Sequence, residues 1–246
     1  MYGRGGGQGR GPFGSGYGGG LSLTPMVRNI IIANVVVYIL TLQSPSLIPL
    51  LWIDGLNFRP WQPFTYMWLH ATDNLWHIVM NMLGLYIFGS DLERVWGPQR
   101  FLRFYILCGA GAGFIIWLAD LVFTPTFTLG ASGAVYGVMT AYSVNWPNRT
   151  IQLLIPPVPI RALYLIPVLF LLQFYMGGNV SHVGHLGGVI VALIDMRQNL
   201  RAHFGMRSLR YQWNRWVMRN RLRAVRRDEW QRRNVRDDDD DHPTIH

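Results

Sequence analysis

Residues 130–141 read Gly130-Ala131-Ser132-Gly133-Ala134-Val135-Tyr136-Gly137-Val138-Met139-Thr140-Ala141. Two readings overlap in this stretch. Gly133, Gly137 and Ala141 recur every four residues, the small-residue stripe that lets two helices approach closely in lipid. Ser132 sits where a loop becomes that helix, so its own backbone N–H falls among the unpaired donors of a helix N-terminus, and the helix dipole there suits a developing oxyanion. The same tetrapeptide also fits an ordinary N-cap serine. It lacks the spacing of Gly-x-Ser-x-Gly, so an α/β-hydrolase elbow is not supported.

Outward from this stretch the chain is apolar. Half of its 246 residues are hydrophobic and 14% are charged, against about 25% in soluble proteins. Between residues 104 and 148 the only charged side chain is Asp120. Apolar runs at about 29–42, 75–89, 101–123, 132–146, 160–176 and 183–200 predict six membrane helices, each near the ~20 residues that cross a bilayer once flanks are counted. The expected fold is therefore an all-α membrane protein with a six-helix bundle over residues 26–200. An even number of spans puts both termini on one side. Arg94, Arg100, Arg103, Arg149 and Arg161 fall in the loops on that side and only Arg59 opposite, which predicts cytoplasmic termini.

The flanks differ from the body. Residues 1–25 are glycine-rich, with no apolar run of a signal peptide before Met26, and are expected to be disordered. The formal charge of +9 rests on arginine alone, because the chain has no lysine. Residues 201–246 form a basic tail ending in the acidic run Asp237–Asp241. Leu209, Trp213, Trp216, Val217 and Val225 fall on one face among the arginines, which predicts an amphipathic helix on anionic lipid. Nucleic acid is not an expected partner. The single cysteine, Cys108, lies in an apolar run and excludes an intramolecular disulfide. The loop from Gln43 to Asn74 carries Trp52, Phe58, Trp61, Phe64, Tyr66 and Trp68, as a segment lying in the outer interface would.

Polar groups inside spans are costly and demand a reason. His185 lies in Gly184-His185-Leu186-Gly187-Gly188, and Gly184, Gly188 and Ala192 repeat the four-residue stripe of the fourth span. If the two stripes face each other, Ser132 and His185 meet, and the imidazole can serve as general base and then acid. Tyr136, one turn from Ser132, is positioned to pack on that ring. The alternative is a pair of packing stripes with a histidine bonded to a backbone carbonyl. His77 and Asn81 are four apart and share a helix face. Both can donate to an oxyanion, or can serve as interhelical hydrogen-bonding glue. There is no His-Glu-x-x-His motif and no carboxylate beside His77 or His185, so neither a metal nor another cofactor is expected.

Assembled in order, Trp61-Gln62-Pro63-Phe64-Thr65, His77-Ile78-Val79-Met80-Asn81, Glu93 with Gly97, Gly130-Ala131-Ser132-Gly133 and His185-Leu186-Gly187-Gly188 resemble the rhomboid family of intramembrane proteases. The resemblance runs from about Trp61 to Asp195. It implies a Ser132–His185 dyad without a third carboxylate, with an oxyanion site from His77, Asn81 and the backbone N–H groups of Ser132 and Ala131. Gly130, Gly133, Tyr136 and Gly188 support it. Substrates would be transmembrane helices of other proteins, cut near the outer face. The membrane would be the inner membrane of a bacterium. Gln62 stands where the family usually has arginine. Glu93 would be a structural acid paired with Arg94 or Arg100. His70 is expected to order the first outer loop, and His185 is preferred over His182 as the base. A non-catalytic rhomboid-like protein that binds membrane helices for quality control is the alternative. A small transporter or channel would need charged or polar residues along several helices, and below the outer third of the membrane these are not expected.

Overall fold

The computed structural model describes residues 22–153, 157–176, 181–197 and 215–218. The chain divides into two compact units, Met1–Ile194 and Asp195–His246. In the second unit the described residues include a helical turn at Arg215–Met218. The rest of the expected amphipathic tail helix, the acidic run and residues 1–21 of the glycine-rich head lie outside the described residues.

Among the described residues, helices occupy all six predicted apolar stretches: α1 (Pro25–Gln43), α2 (Leu75–Gly84) continuing through a π turn at Leu85–Gly89 into α3 (Ser90–Trp96), α4 (Pro98–Asp120), α5 (Ser132–Asn145), α6 (Leu165–Met176) and α7 (His182–Asp195). The predicted first helix gains four residues at its N-terminus, because Pro25 sits in the first turn, where a missing N–H costs nothing. Gly97, at φ 79°, ends α3 and turns directly into Pro98 of α4. By length and composition α1 and α4 each suffice to cross a bilayer, and the helices at 162–175 and 182–195 are shorter and apolar.

The expectation of an all-helical chain needs one amendment. Two short antiparallel pairs lie outside the helices: β1 (Ile53–Asp54) with β2 (Phe127–Thr128), and β3 (Thr150–Gln152) with β4 (Pro159–Arg161). The first pair ties the long aromatic loop to the segment preceding Ser132. The loop is held at several further points. Trp52 stacks on Phe127 at 4.8 Å, Phe58 on Trp117 at 4.4 Å, and the Tyr66 hydroxyl donates to Gly109 O at 2.8 Å. Gln62 is fully buried, and its Oε1 accepts the backbone N–H groups of Arg59 at 3.0 Å and Asp54 at 3.4 Å. A neutral amide thus organises this loop where the family's arginine would stand.

Polarity in the bundle is turned inward. Asn34, Asn81, Glu93 and His185 are buried, whereas Ile32, Val36, Ile39 and Leu40 of α1 and Leu171 and Phe174 of α6 face outward. In water such a surface would aggregate; against lipid it costs nothing. At the centre stands α5, where every residue from Gly133 to Val144 is buried. A helix packed on all sides needs no amphipathic stripe, only small residues where backbones meet. A Cβ on Gly137 would lie 2.6 Å from Cys108 Sγ, so the one cysteine packs against α5.

Glu93 departs from the expected pairing. Its carboxylate accepts the Thr24 hydroxyl and the backbone N–H groups of Met26 at 2.9 Å and Val27 at 2.8 Å. It therefore caps α1 from another helix, satisfying donors that the first turn cannot. Arg94 pairs with Asp91 instead, and Arg100 lies over the Trp96 ring. Charge neighbours in sequence do not predict this, because the partner is a helix end and not a cation.

Candidate active site

Ser132 is the first residue of α5 and Ala131 takes the cap position. The ordinary-cap reading therefore does not describe this serine: its hydroxyl is not the helix cap, and its N–H is one of the unpaired first-turn donors. Ala131, fully buried, closes the first turn through its carbonyl, which accepts Val135 N–H at 3.0 Å. Gly130 has φ 130°, a conformation that side chains rarely adopt. Its N–H donates to Tyr66 O at 3.0 Å, fastening the loop to the aromatic segment.

The two small-residue stripes do face each other. A Cβ on Gly188 would lie 1.9 Å from Gly133 O, and one on Gly133 would lie 3.2 Å from Gly184 O. The backbones of α5 and α7 are in contact at the level of Ser132 and His185. There the His185 ring, 4% exposed, lies flat on Tyr136, with centroids 4.1 Å apart and planes 13° from parallel. Its Nδ1 lies 2.9 Å from Gln173 Oε1. Its Nε2 is buried without a hydrogen-bond partner among the described residues, so the Ser132–His185 bond is not closed here. Catalytic hydrogen bonds often tighten only with substrate bound.

His77 approaches the same loop from α2. Its Nδ1 accepts the Ala71 N–H at 3.1 Å, which leaves the proton of the neutral ring on Nε2. That Nε2 would stand 2.8 Å from a Cβ on Gly130, so the donor edge of the ring lies against Gly130, two residues before Ser132. Asn81 is buried, and its Nδ2 donates back to His77 O at 2.7 Å, leaving one N–H for a second acceptor. His70 is fully buried edge-on to His77, centroids 5.2 Å apart. His182 does not join Tyr136 on the His185 ring; its Nδ1 meets Gln173 Nε2 at 3.0 Å.

Gln173 is the residue that sequence reading passed over. It hydrogen-bonds to Tyr136, His182 and His185 together. The available signal was its character: the single amide in the apolar run 162–176.

A helical membrane protein with a serine at a buried helix start, a histidine stacked on tyrosine across a glycine contact, and a second histidine donor beside the loop forms a recognisable class. The Rhomboid domain family matches residues 57–196, more than half of the chain, and the chain belongs to the rhomboid family. It is 32% identical over 197 residues to "RHOMBOID-like protein 12, mitochondrial" of Arabidopsis thaliana, covering 71% of this chain and 58% of that one. It is 31% identical over 131 residues to "Rhomboid protease GluP" of Bacillus subtilis, covering 53% and 24%. With "Putative rhomboid protease YdcA" of the same bacterium it shares 26% identity over 199 residues, covering 74% and 94%. The chain thus spans 58% and 24% of the length of the first two relatives.

Proposed function

We propose that the chain is an active intramembrane serine endopeptidase that cuts transmembrane helices of other proteins near the outer membrane face. Ser132 Oγ attacks the scissile carbonyl while His185 Nε2 takes the hydroxyl proton, then returns it to the leaving amine. Water repeats the cycle on the acyl-enzyme. His77 Nε2–H, the remaining Asn81 N–H and the backbone N–H groups at the start of α5 receive the developing oxyanion. No metal or cofactor enters these steps. The observation that carries the reading is the buried His185 ring, flat on Tyr136, at the glycine contact that joins α7 to the helix Ser132 begins.

Six spans with both termini in the cytoplasm of a bacterium complete the proposal, supported by the six apolar helices and the arginine bias of the loops. Its units are a glycine-rich head, a protease domain that includes α1 from Pro25, and a basic tail (201–246) lying on anionic lipid. The deciding experiment incubates purified protein with a membrane-helix substrate beside Ser132→Ala and His185→Ala. Cleavage by the wild type alone is expected, and cleavage that survives both substitutions sinks the assignment. One observation favours a non-catalytic helix-binding member, namely the open Ser132–His185 contact. Failure of a serine-directed fluorophosphonate to label the wild type would select it.

A further inference from the structure

We infer that Gln173 is a positioning residue for His185, the orienting third member that a two-residue dyad lacks. The inference rests on the protease reading for its consequence but not for its geometry.

Gln173 Oε1 faces two groups, His185 Nδ1 at 2.9 Å and the Tyr136 hydroxyl at 3.0 Å, while Nε2 faces His182 Nδ1 at 3.0 Å. An amide oxygen has two lone pairs and accepts from both; an amide NH2 only donates. With the oxygen turned towards His185, Nδ1 must carry the ring proton. Nε2 is then left with its lone pair, the form a general base requires. The reversed amide would present N–H to Nδ1, force the proton onto Nε2 and leave nothing to take the Ser132 proton. In this orientation the Gln173 NH2 donates to His182 Nδ1 in its acceptor form.

The same contacts hold the ring in place. Tyr136 belongs to α5, Gln173 to α6, and His182 and His185 to α7, so one amide links the three helices around the imidazole. When His185 takes the serine proton, the positive charge on its buried ring keeps a hydrogen bond to an amide oxygen, and low local dielectric makes such a bond stronger than in water. The charged or titratable groups facing the ring are His182, His77 and Tyr136. None is a carboxylate, so Gln173 is the acceptor available to Nδ1 among the described residues.

The test uses the full chain in lipid nanodiscs, with 15N-histidine spectra and cleavage kinetics on wild type, Gln173→Leu, Gln173→Glu and Ser132→Ala. Neutral His185 is expected as the Nδ1–H form in wild type and in Ser132→Ala, and as a mixture in Gln173→Leu. The Leu variant should lose kcat by roughly tenfold to a hundredfold with KM within about twofold, a smaller loss than the ~ten-thousand-fold cost of altering a triad's orienting carboxylate. The Glu variant has nearly the same shape and stabilises the imidazolium, so the acid limb of kcat/KM should move up by at least about half a pH unit. If the Leu variant does not fold, the Glu variant and the wild-type spectrum decide. A wild-type His185 protonated on Nε2 overturns the inference, as do two variants that both keep kcat and the acid limb unchanged. A wild type that shows the Gln173-dependent Nδ1–H form without cleaving supports the positioning contact and overturns the protease reading.

Discussion

Two buried polar clusters lie towards opposite ends of α4: Glu93 just precedes it, while Gly133 packs against Ala112 and Gly184 against Ile116, about 21–27 Å along the helix from Pro98. At the Gly97 end, Glu93 is saturated, holding the Thr24 hydroxyl and two N–H groups of α1. At the other end, the buried His185 leaves Nε2 unpartnered, and Ser132 begins a helix whose first N–H groups have no intrahelical acceptor. Both clusters carry the desolvation cost of polar groups in an apolar bundle. Only the first recovers it from its own chain. Most buried polar groups are satisfied, so an unpartnered one calls for a reason, and at His185 the proposed chemistry supplies it. The contrast predicts that damage at the first cluster is read in stability and damage at the second in chemistry.

The largest expected effect is chemical. Ser132→Ala should lower cleavage at least about a thousandfold, equivalent to roughly 4 kcal/mol of barrier, while leaving the unfolding midpoint in place. Kinetics and thermal unfolding on one preparation check both halves. A large fall in the midpoint would mean that the serine is structural and that the contrast fails.

Gly188→Ala joins the two kinds of damage. Its Cβ would lie 1.9 Å from Gly133 O, a backbone atom that cannot rotate away, so α5 and α7 must separate. Overpacking of this kind costs about 1–3 kcal/mol, and here it also carries His185 away from Ser132. Unfolding titrations should show the loss of stability, and cleavage should fall further than that loss accounts for. Next comes Glu93→Ala, which orphans two backbone donors and a hydroxyl; leaving buried groups unsatisfied costs on the order of 2–4 kcal/mol. Its kcat, measured on the folded fraction, should stay within about twofold of wild type, since the Ser132 end of α5 packs against Ala112, about 21 Å along α4 from the Glu93 end.

How far sequence could see these two clusters differs for a physical reason. The Ser132–His185 end was legible because it is built on a repeat. Gly133 and Gly137 on one helix and Gly184 and Gly188 on the other have a period that survives without coordinates, and backbone contact at Gly133 and Gly188 follows from it. Tyr136 over His185 follows from the same register. Glu93 is the structural acid expected, but its partners were not legible, because they are the Thr24 hydroxyl and main-chain N–H groups 66 and 67 residues away, which no charge pattern marks. Gln173 escaped for a related reason. It lies 37 residues from Tyr136 and 12 from His185, on a helix whose other positions show only apolarity. The strand pair at Ile53 and Thr128 is two residues long on each side, too short for alternation to register.

His77→Ala sharpens the contrast at the active end. The ring spends Nδ1 on Ala71 N–H and turns Nε2 towards Gly130. Loss of one oxyanion donor lowers kcat by roughly a hundredfold, about 2.7 kcal/mol, with little change in KM. His77→Gln should recover part of the rate if the side-chain amide reaches the same place. Equal defects in both variants, with a matching loss of stability, would assign His77 to holding the loop.

The smallest effect tests the saturated end with its least buried member. Arg94 pairs with Asp91 at 2.8 Å, but Arg149 holds the other Asp91 oxygen at 2.6 Å. Removing Arg94 therefore leaves the carboxylate paired. Its remaining bonds run to Ser22 at the exposed start of the bundle. Exposed ion pairs contribute about 0–1 kcal/mol, so Arg94→Ala should change stability by no more than about half a kcal/mol. Arg149→Ala removes the partner that stacks near Tyr142 as well, and should cost more. If Arg94→Ala proved as damaging as Glu93→Ala, the cluster would act as one electrostatic network and not as a helix cap with a surface pair beside it. A double-mutant cycle between Arg94 and Glu93 separates these cases, with a coupling below about 0.5 kcal/mol expected for independent sites.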